Sequence, residues 1–115
     1  MNYTSLEQSK RLESLGLSTD IATKYYLGEG YFIPSDRPKD HVLLEGQTPC
    51  WTLTVLHKLL PDYINVNGEN IPISVLDYKN IAYGDIIKYE AEPDLMMNVY
   101  LMLCWLLENN YSIND

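Results

Sequence analysis

Residues 64–76 read INVNGENIPISVL, a segment with the marks of two strands joined by a tight turn. The dipeptide Asn67-Gly68 is the strongest short signal of a β-hairpin, because both residues accept the positive φ angles of a type I′ turn. Pro72 has no amide hydrogen, which predicts an edge strand or a position outside the hydrogen-bonded ladder. The apolar residues after the turn alternate and therefore share one face of a strand; they are Ile71, Ile73 and Val75.

The segment that follows extends this pattern. Residues 81–90, IAYGDIIKYE, predict a third strand, in which Gly84 marks a bulge or a tight bend. The three strands together predict an antiparallel β-meander.

A helix is predicted from Pro93 to about Asn109. Twelve of the thirteen residues in 95–107 are apolar, and only Asn98 is polar. This run is shorter than the about 20 apolar residues that span a bilayer, yet wider than one packed face requires. We therefore expect a central core helix or a homodimer contact. Acidic residues at its start favour the helix dipole; they are Glu90, Glu92 and Asp94.

Residues 47–61, QTPCWTLTVLHKLLP, predict another helix, with Thr48 as N-cap, Pro49 as the first helical residue and Pro61 as its end. One arc of this helix is apolar and faces the core; it consists of Trp51, Leu53, Val55, Leu56, Leu59 and Leu60. The opposite side carries Cys50, Thr54, His57 and Lys58.

The N-terminal part predicts a helical hairpin. Thr4 and Glu7 form a capping box for the first helix, and Gly16 ends it. Ser18 then caps a short second helix over residues 19–27, TDIATKYYL, before Gly28. Two short strands or extended segments follow around a mobile loop that includes residues 34–41; they are Tyr31–Ile33 and Val42–Leu44.

Together these elements predict an α+β fold in a single domain over residues 1–115. Its small antiparallel sheet has three or more strands and packs against the two apolar helices, with the N-terminal helical hairpin alongside.

The composition restricts the partners and the compartment. Sixteen acidic side chains face eight basic ones, for a net charge of −8, so we expect no direct binding of nucleic acid. The chain has two cysteines, Cys50 and Cys104, and no apolar secretory core in its first thirty residues. We therefore expect a reducing cytoplasm and no membrane.

Cys50 and His57 raise the question of a thiol nucleophile with its base. A cysteine near a helix N-terminus has a lowered pKa. Seven residues along a helix, however, correspond to a rise of about 10.5 Å, whereas a nucleophile and its base need roughly 3 Å. His41 could serve only if the fold brings it to Cys50. We interpret Cys50 as a half-buried structural thiol.

Other candidate sites are weaker. Asp36, Asp40 and His41 carry ligands that suit divalent metal ions, but their spacing is not diagnostic and a solvated loop accounts for them. Residues 28–30, GEG, are too short for a dinucleotide-binding loop and predict a turn. The acidic residues before the last helix are explained by capping. We therefore predict no catalytic, cofactor-binding or metal-binding residue.

Three separated blocks resemble a family of small uncharacterised proteins from gut Bacteroidetes and from their phages and mobile elements. The blocks read TSLEQSKRLESLGLSTDIATKYY, PCWTLTVLHKLLP and VYLMLCWLLENN. In that family a small residue precedes the middle tryptophan, where this chain has Cys50. The family brings no established activity, cofactor or catalytic residue. The resemblance implies a compact α+β domain with an accessory role.

For function, these observations favour a non-enzymatic accessory protein of a phage or mobile element that acts through an unidentified protein partner. The alternative is an acidic decoy or immunity-type protein that neutralises a basic partner, which requires carboxylates gathered on one face. A small enzyme is the least favoured class, because it needs a deep pocket lined by polar residues with perturbed pKa values.

Overall fold

The computed structural model of the chain describes residues 2–76, 80–90 and 94–114. The chain divides into two compact units, residues 1–55 and 56–115. The helices are α1 (Leu6–Ser14), α2 (Leu53–Leu59) and α3 (Leu95–Glu108), with one 3₁₀ turn at Thr19–Ile21. The strands are β1 (Lys24–Tyr26), β2 (Ser35–Asp36), β3 (Thr48–Cys50), β4 (Tyr63–Val66), β5 (Glu69–Leu76), β6 (Asn80–Tyr83) and β7 (Ile87–Tyr89).

The predicted α+β class is confirmed, with two antiparallel sheets packed against helices. One sheet has the order β2-β1-β3 and the other β4-β5-β6-β7. No helix within the described residues has the length and apolarity needed to cross a membrane. The single domain over residues 1–115 stays a prediction.

The hairpin predicted at Asn67-Gly68 forms as expected. The two residues have φ angles of 52° and 86°, as a type I′ turn requires, and Val66 pairs with Glu69 across it. Asn65 braces the turn, because its Oδ1 accepts a hydrogen bond from the Gly68 amide at 3.1 Å. Local sequence is therefore sufficient to set this register.

Pro72 lies in β5, an inner strand of its sheet, so the predicted edge strand is wrong. The alternative prediction, a position outside the hydrogen-bonded ladder, is correct on the β6 side. The first half of β5 pairs with β4, and the second half, from Ile73, pairs with β6. Ile73 donates its amide to the Asp62 carbonyl at 2.8 Å on the β4 side. The nitrogen of the preceding Pro72 therefore faces the other side, just before the β6 ladder begins.

Gly84 lies in a turn rather than inside a strand. The predicted third strand is split there into β6 and β7, which pair from Tyr83 and Ile87 onward. Gly84 has a φ of 52°, and a Cβ built on it would lie 2.8 Å from Cγ2 of Ile71. Both the backbone conformation and the close approach therefore favour glycine.

Helix α3 packs against β6 and β7 and forms the core of residues 56–115. Asp94 caps it, because its side chain accepts a hydrogen bond from the Met96 amide at 2.9 Å. The predicted helix start at Pro93, and Glu92, lie outside the described residues. All of α3 is described, and none of the exposed large hydrophobic side chains belongs to it. Dimerisation through α3 stays a prediction, but the exposed apolar surface lies elsewhere.

Helix α1 begins one residue later than predicted. Ser5 and Gln8 form the capping box, in place of Thr4 and Glu7. Its end is as predicted: Gly16 has a φ of 93°, and the Leu17 amide donates to the Leu12 carbonyl at 3.0 Å. This is the hydrogen bond of a Schellman motif.

The second helix of the predicted hairpin is reduced to the 3₁₀ turn at Thr19–Ile21. Ser18 caps this turn as predicted, accepting from the Asp20 amide. Residues 24–26 then form β1 at the centre of a sheet. Two adjacent tyrosines favour a strand, and pairing on both sides supplies the hydrogen bonds that a helix would otherwise provide.

The helix predicted from Thr48 begins only at Leu53. Residues 48–50 instead form β3, which pairs with β1 and opposes Pro49 to Tyr25. A proline is acceptable at this sheet edge. Thr52 replaces Thr48 in the capping position, because its Oγ1 accepts from the Val55 amide at 3.4 Å. Cys50 is consequently a strand residue and not a helix residue.

The structure around residues 34–41 also differs from the prediction. Tyr31–Ile33 and Val42–Leu44 are not strands, and β2 (Ser35–Asp36) lies inside the predicted loop. Its partner is β1, in which Tyr25 opposes Ser35. The apolar triplets on either side are thus left outside the sheet.

We expect Gly84→Ala to lower the free energy of unfolding by about 2–3 kcal/mol, combining a positive φ with a forced contact at Ile71. Gly68→Ala is the matched control, because Gly68 also has positive φ but nothing within 4 Å of the added Cβ. Urea unfolding should give it a smaller loss, of about 1–2 kcal/mol. Equal losses in the two variants would contradict the contact at Ile71.

Candidate functional site

Buried polar side chains of residues 1–55 gather around Thr4. Its amide donates to the Trp51 carbonyl at 2.9 Å, and its Oγ1 accepts from the Trp51 amide at 3.1 Å. Ser9 lies 2.6 Å from the same hydroxyl, and Tyr26 donates its hydroxyl to the Thr4 carbonyl at 2.7 Å. The Cys50 thiol lies 3.3 Å from that carbonyl. The polar groups of this cluster bind one another and are buried.

Cys50 is a structural thiol in this cluster. It is fully buried rather than half-buried. Burial raises the pKa of the Cys50 thiol and outweighs the hydrogen bonds that lower it, of which the one with Thr4 is largest. The predicted alternative of a reactive thiol at a helix N-terminus therefore loses its physical basis. His57 lies exposed on α2, and His41 stacks on the Tyr25 ring at 4.5 Å.

The structure does not assemble the metal site considered for Asp36, Asp40 and His41. Asp36 is bound by the Lys24 ammonium at 2.7 Å, and this hydrogen bond lowers the pKa of its carboxyl group. His41 is occupied by its stack on Tyr25. Within the described residues, no group of three metal-ligating side chains comes together.

Arg37 lines a cleft of about 700 Å³ in residues 1–55. Its guanidinium group donates to the backbone carbonyls of Thr19, Ala22 and His41. The cation is therefore used to brace the chain after β2 against the 3₁₀ turn. The Nδ1 atom of His41 is buried beside this brace and has no hydrogen-bond partner in the described structure. The arrangement is a structural clamp.

The remaining sequence candidates are structural as well. Residues 28–30 form the predicted turn, in which Gly30 has a φ of 84°. Of the acidic residues before α3, Asp94 is the N-cap and Glu90 pairs with Lys88. Glu92 lies outside the described residues.

Exposed apolar side chains form the other notable feature of residues 1–55. All of the large ones lie between positions 27 and 44, and their exposed fractions run from 46% to 80%. We call them the apolar loop surface; they are Leu27, Tyr31, Phe32, Ile33, Val42 and Leu44.

The sheet topology brings the first residues of this surface close to the chain segment that enters β3. Tyr26, the last residue of β1, pairs with Thr48, the first residue of β3. The chain therefore leaves β1 and enters β3 at the same end of the sheet. A Cβ built on Gly28 would lie 4.0 Å from the Gly46 carbonyl oxygen, so the backbone after β1 and the backbone before β3 approach each other here. Val42 lies apart from this approach, because it lines the cleft around Arg37.

A hollow adjoins the apolar loop surface. It measures about 360 Å³, and its apolar lining includes Leu6 of α1 and Phe32. Lys10 and Glu29 stand at its rim and form an ion pair. The sequence predicted short strands or extended segments at the apolar triplets, and this exposed surface was missed. The available signal was the bracketing of Tyr31–Ile33 by Gly30 and Pro34, two residues that favour turns.

Comparison with known proteins gives no relative: no family model matches the chain, and neither curated proteins nor solved structures provide a match.

We expect Thr4→Val to lower the free energy of unfolding by about 2–4 kcal/mol, because it leaves the buried Trp51 amide and Ser9 hydroxyl without their partner. Thr54→Val, on the exposed side of α2, is the matched control and should change stability by less than about 0.5 kcal/mol. Urea unfolding followed by tryptophan fluorescence measures both. A Thr4→Val protein as stable as the control would contradict the role of the cluster.

We expect the Cys50 thiol to titrate above the ordinary cysteine pKa of about 8.5, because burial disfavours the thiolate. Alkylation by iodoacetamide across a pH series, read by peptide mass spectrometry, resolves Cys50 from Cys104 without mutation. Modification should be slow in the folded protein and fast in urea, since both thiols are buried. Titration well below 8.5 would restore the nucleophile hypothesis.

Proposed function

We propose that this protein is a non-enzymatic interaction protein that binds a protein partner through the apolar loop surface. The observation that supports it is the exposure of six large apolar side chains between positions 27 and 44, among them the adjacent Phe32 at 76% and Ile33 at 80%. Single exposed apolar residues are common on soluble proteins, but contiguous groups mark binding sites.

The size of the surface agrees with a protein partner. If a free large side chain presents roughly 200 Å², the exposed fractions of the five residues other than Val42 amount to on the order of 600 Å². A standard protein–protein interface buries about 800 Å² on each partner. The apolar loop surface therefore provides most of one side of such an interface.

The bonding of the polar groups in residues 1–55 argues against a catalytic role. The hydroxyl and thiol groups around Thr4 are buried and bonded to one another, and the Arg37 cation is bonded to backbone carbonyls. An enzyme site needs such groups presented toward a substrate. We propose an accessory role in the cytoplasm, in the phage or mobile-element setting that the resemblance implies.

The acidic decoy is the second candidate, and the charge distribution supports it. Residues 56–115 carry nine acidic and three basic side chains, whereas residues 1–55 carry seven and five. A basic partner would accordingly bind residues 56–115. Such binding would weaken steeply with salt and would not depend on the apolar loop surface.

A capture experiment separates the two candidates. Immobilised protein is exposed to a lysate of the native host at low and high salt, alongside the variants Phe32→Ser/Ile33→Ser and Tyr63→Ser. Tyr63 is the matched control, since it is 55% exposed but lies in β4. We expect the double variant to bind its partner roughly thirtyfold more weakly, because a few central apolar residues supply most of the binding free energy of an interface.

The Tyr63→Ser control should retain the partner, and high salt should have little effect. Capture that the double variant retains and salt abolishes would contradict the proposal and favour the decoy.

A further inference from the structure

We infer that the free edge of β4 binds an extended peptide of a partner protein as an additional strand of the sheet, with basic side chains at both ends of the paired stretch. This site lies in residues 56–115 and goes beyond the proposed function, which concerns residues 1–55. The unpaired main-chain groups of β4, the charges beside it and a neighbouring hollow support the inference.

The outer side of β4 carries main-chain groups without partners. β4 is the end strand of its sheet and pairs only with β5. Ile73 of β5 donates its amide to the Asp62 carbonyl, and this bond fixes which residues face β5. Because the bonds of an antiparallel pair alternate, the amides and carbonyls of Tyr63 and Asn65 face outward. The described residues provide no hydrogen-bond partner for these four groups.

The other edge strands are protected in ways that β4 is not. Proteins block edge pairing with short edge strands, lysine and proline. β2 has two residues and follows Pro34, β3 contains Pro49, and β7 contains Lys88. β4 consists of Tyr63–Val66 and contains neither lysine nor proline, and its aromatic and β-branched residues favour strand pairing. Its edge is therefore a template for a further strand.

The charges beside the β4 edge favour a basic peptide. Asp62 directly precedes β4, and Glu69 pairs with its last residue, Val66. Both acidic residues are exposed, and neither forms an ion pair with a described residue. Residues 56–115 carry nine acidic and three basic side chains. A second copy of this unit is therefore repelled, whereas a peptide with lysine or arginine is attracted.

The chain after α3 leaves the β4 edge open, because it is held elsewhere. The Asn114 amide donates to the Leu59 carbonyl at 2.9 Å, and its side-chain amide donates to the Leu60 carbonyl at 3.1 Å. Beside the edge lies a hollow of about 290 Å³, lined by residues 63–65 and 110–112. It is smaller than the pockets of about 300–1,000 Å³ that hold drug-sized ligands. Its size suits a single side chain of an added strand.

The register of an added antiparallel strand predicts the pattern of the peptide. Two of its residues exchange main-chain hydrogen bonds with Tyr63 and Asn65. The residue between them opposes Ile64, which lines the hollow, so an apolar side chain fits there. The next residue on either side lies at one end of β4, near the carboxylates described above, and is therefore basic.

Nuclear magnetic resonance of the full chain with the blocked peptide Lys-Thr-Val-Thr-Lys tests this inference. We expect a dissociation constant below about 1 mM. Hydrogen exchange should become slower at the Tyr63 and Asn65 amides, because the peptide supplies the acceptors that they lack. The Ile64 amide faces β5 and is the internal control, which should exchange slowly with and without the peptide.

Methylation of the peptide nitrogens gives a matched comparison that needs no protein variant. The two threonine amides face the β4 edge, so methylating both should weaken binding at least tenfold. The amides of the valine and of the second lysine face away, and methylating these two should change the dissociation constant by less than about twofold.

A proline in β4 tests the same hydrogen bond from the protein side. Tyr63→Pro removes an amide that faces outward, so the ladder to β5 remains while peptide binding should weaken at least tenfold. Tyr63→Ser keeps this amide and should weaken binding by less than about threefold. Circular dichroism must show that the proline variant is folded, and the methylated peptides decide the question where it is not.

Three results would overturn the inference. One is a dissociation constant above about 1 mM for the unmodified peptide. Another is equal binding of the two methylated peptides without slower exchange at Tyr63 and Asn65, which would show electrostatic attraction only. The third is equally tight binding of Glu-Thr-Val-Thr-Glu, which would contradict a basic partner.

Discussion

A buried tyrosine hydroxyl needs an acceptor, and in this chain that need organises both units in the same manner. Tyr26 donates to the Thr4 carbonyl and Tyr83 to the Pro61 carbonyl, each at 2.7 Å and each across 22 residues. Both rings are almost fully buried, and burial raises the pKa of both hydroxyl groups. They therefore remain protonated donors at neutral pH. Leaving either unpaired would cost about 1–3 kcal/mol, so each bond holds the start of its unit against a strand.

This anchoring determines where the apolar loop surface forms. Tyr26 ends β1, and its ring is held in the core by the bond to Thr4. The chain beyond it is the loop that leads to β2, in which Tyr31, Phe32 and Ile33 are exposed, whereas Trp51 and Leu12 of the same unit are fully buried. The apolar loop surface thus begins where β1 ends.

The features that local chemistry controls were predictable, and those that distant partners control were not. The Asn67-Gly68 turn and the Gly16 helix end depend on φ angles that few residues accept. Both Thr4 with Glu7 and Ser5 with Gln8 match a capping box, and the choice falls to Ser5 because Trp51 engages Thr4.

The structure of residues 48–50 also depends on distant contacts, and local sequence predicted it wrongly. Thr48 followed by Pro49 is a good helix start by every local criterion. The segment nevertheless becomes β3, because β1 supplies a ladder on one side and Thr4 binds the adjoining Trp51. These contacts, which join residues 46 positions apart, determine where Cys50 lies. They therefore also decide against Cys50 as a thiol nucleophile. A single sequence without its partners in space contains no local signal for them.

The separation of apolar surface and charge along the chain explains how such a surface is tolerated. Exposed groups of this size promote non-specific association unless something opposes it. The net charge of −8 provides that opposition at long range, since copies that approach in arbitrary orientations repel one another. Beside Phe32, the Glu29 carboxylate is paired with Lys10, so the local charge is low. The charge excess is carried mainly by residues 56–115, and the exposed apolar residues between positions 27 and 44 therefore belong to the part of the chain with the smaller net charge.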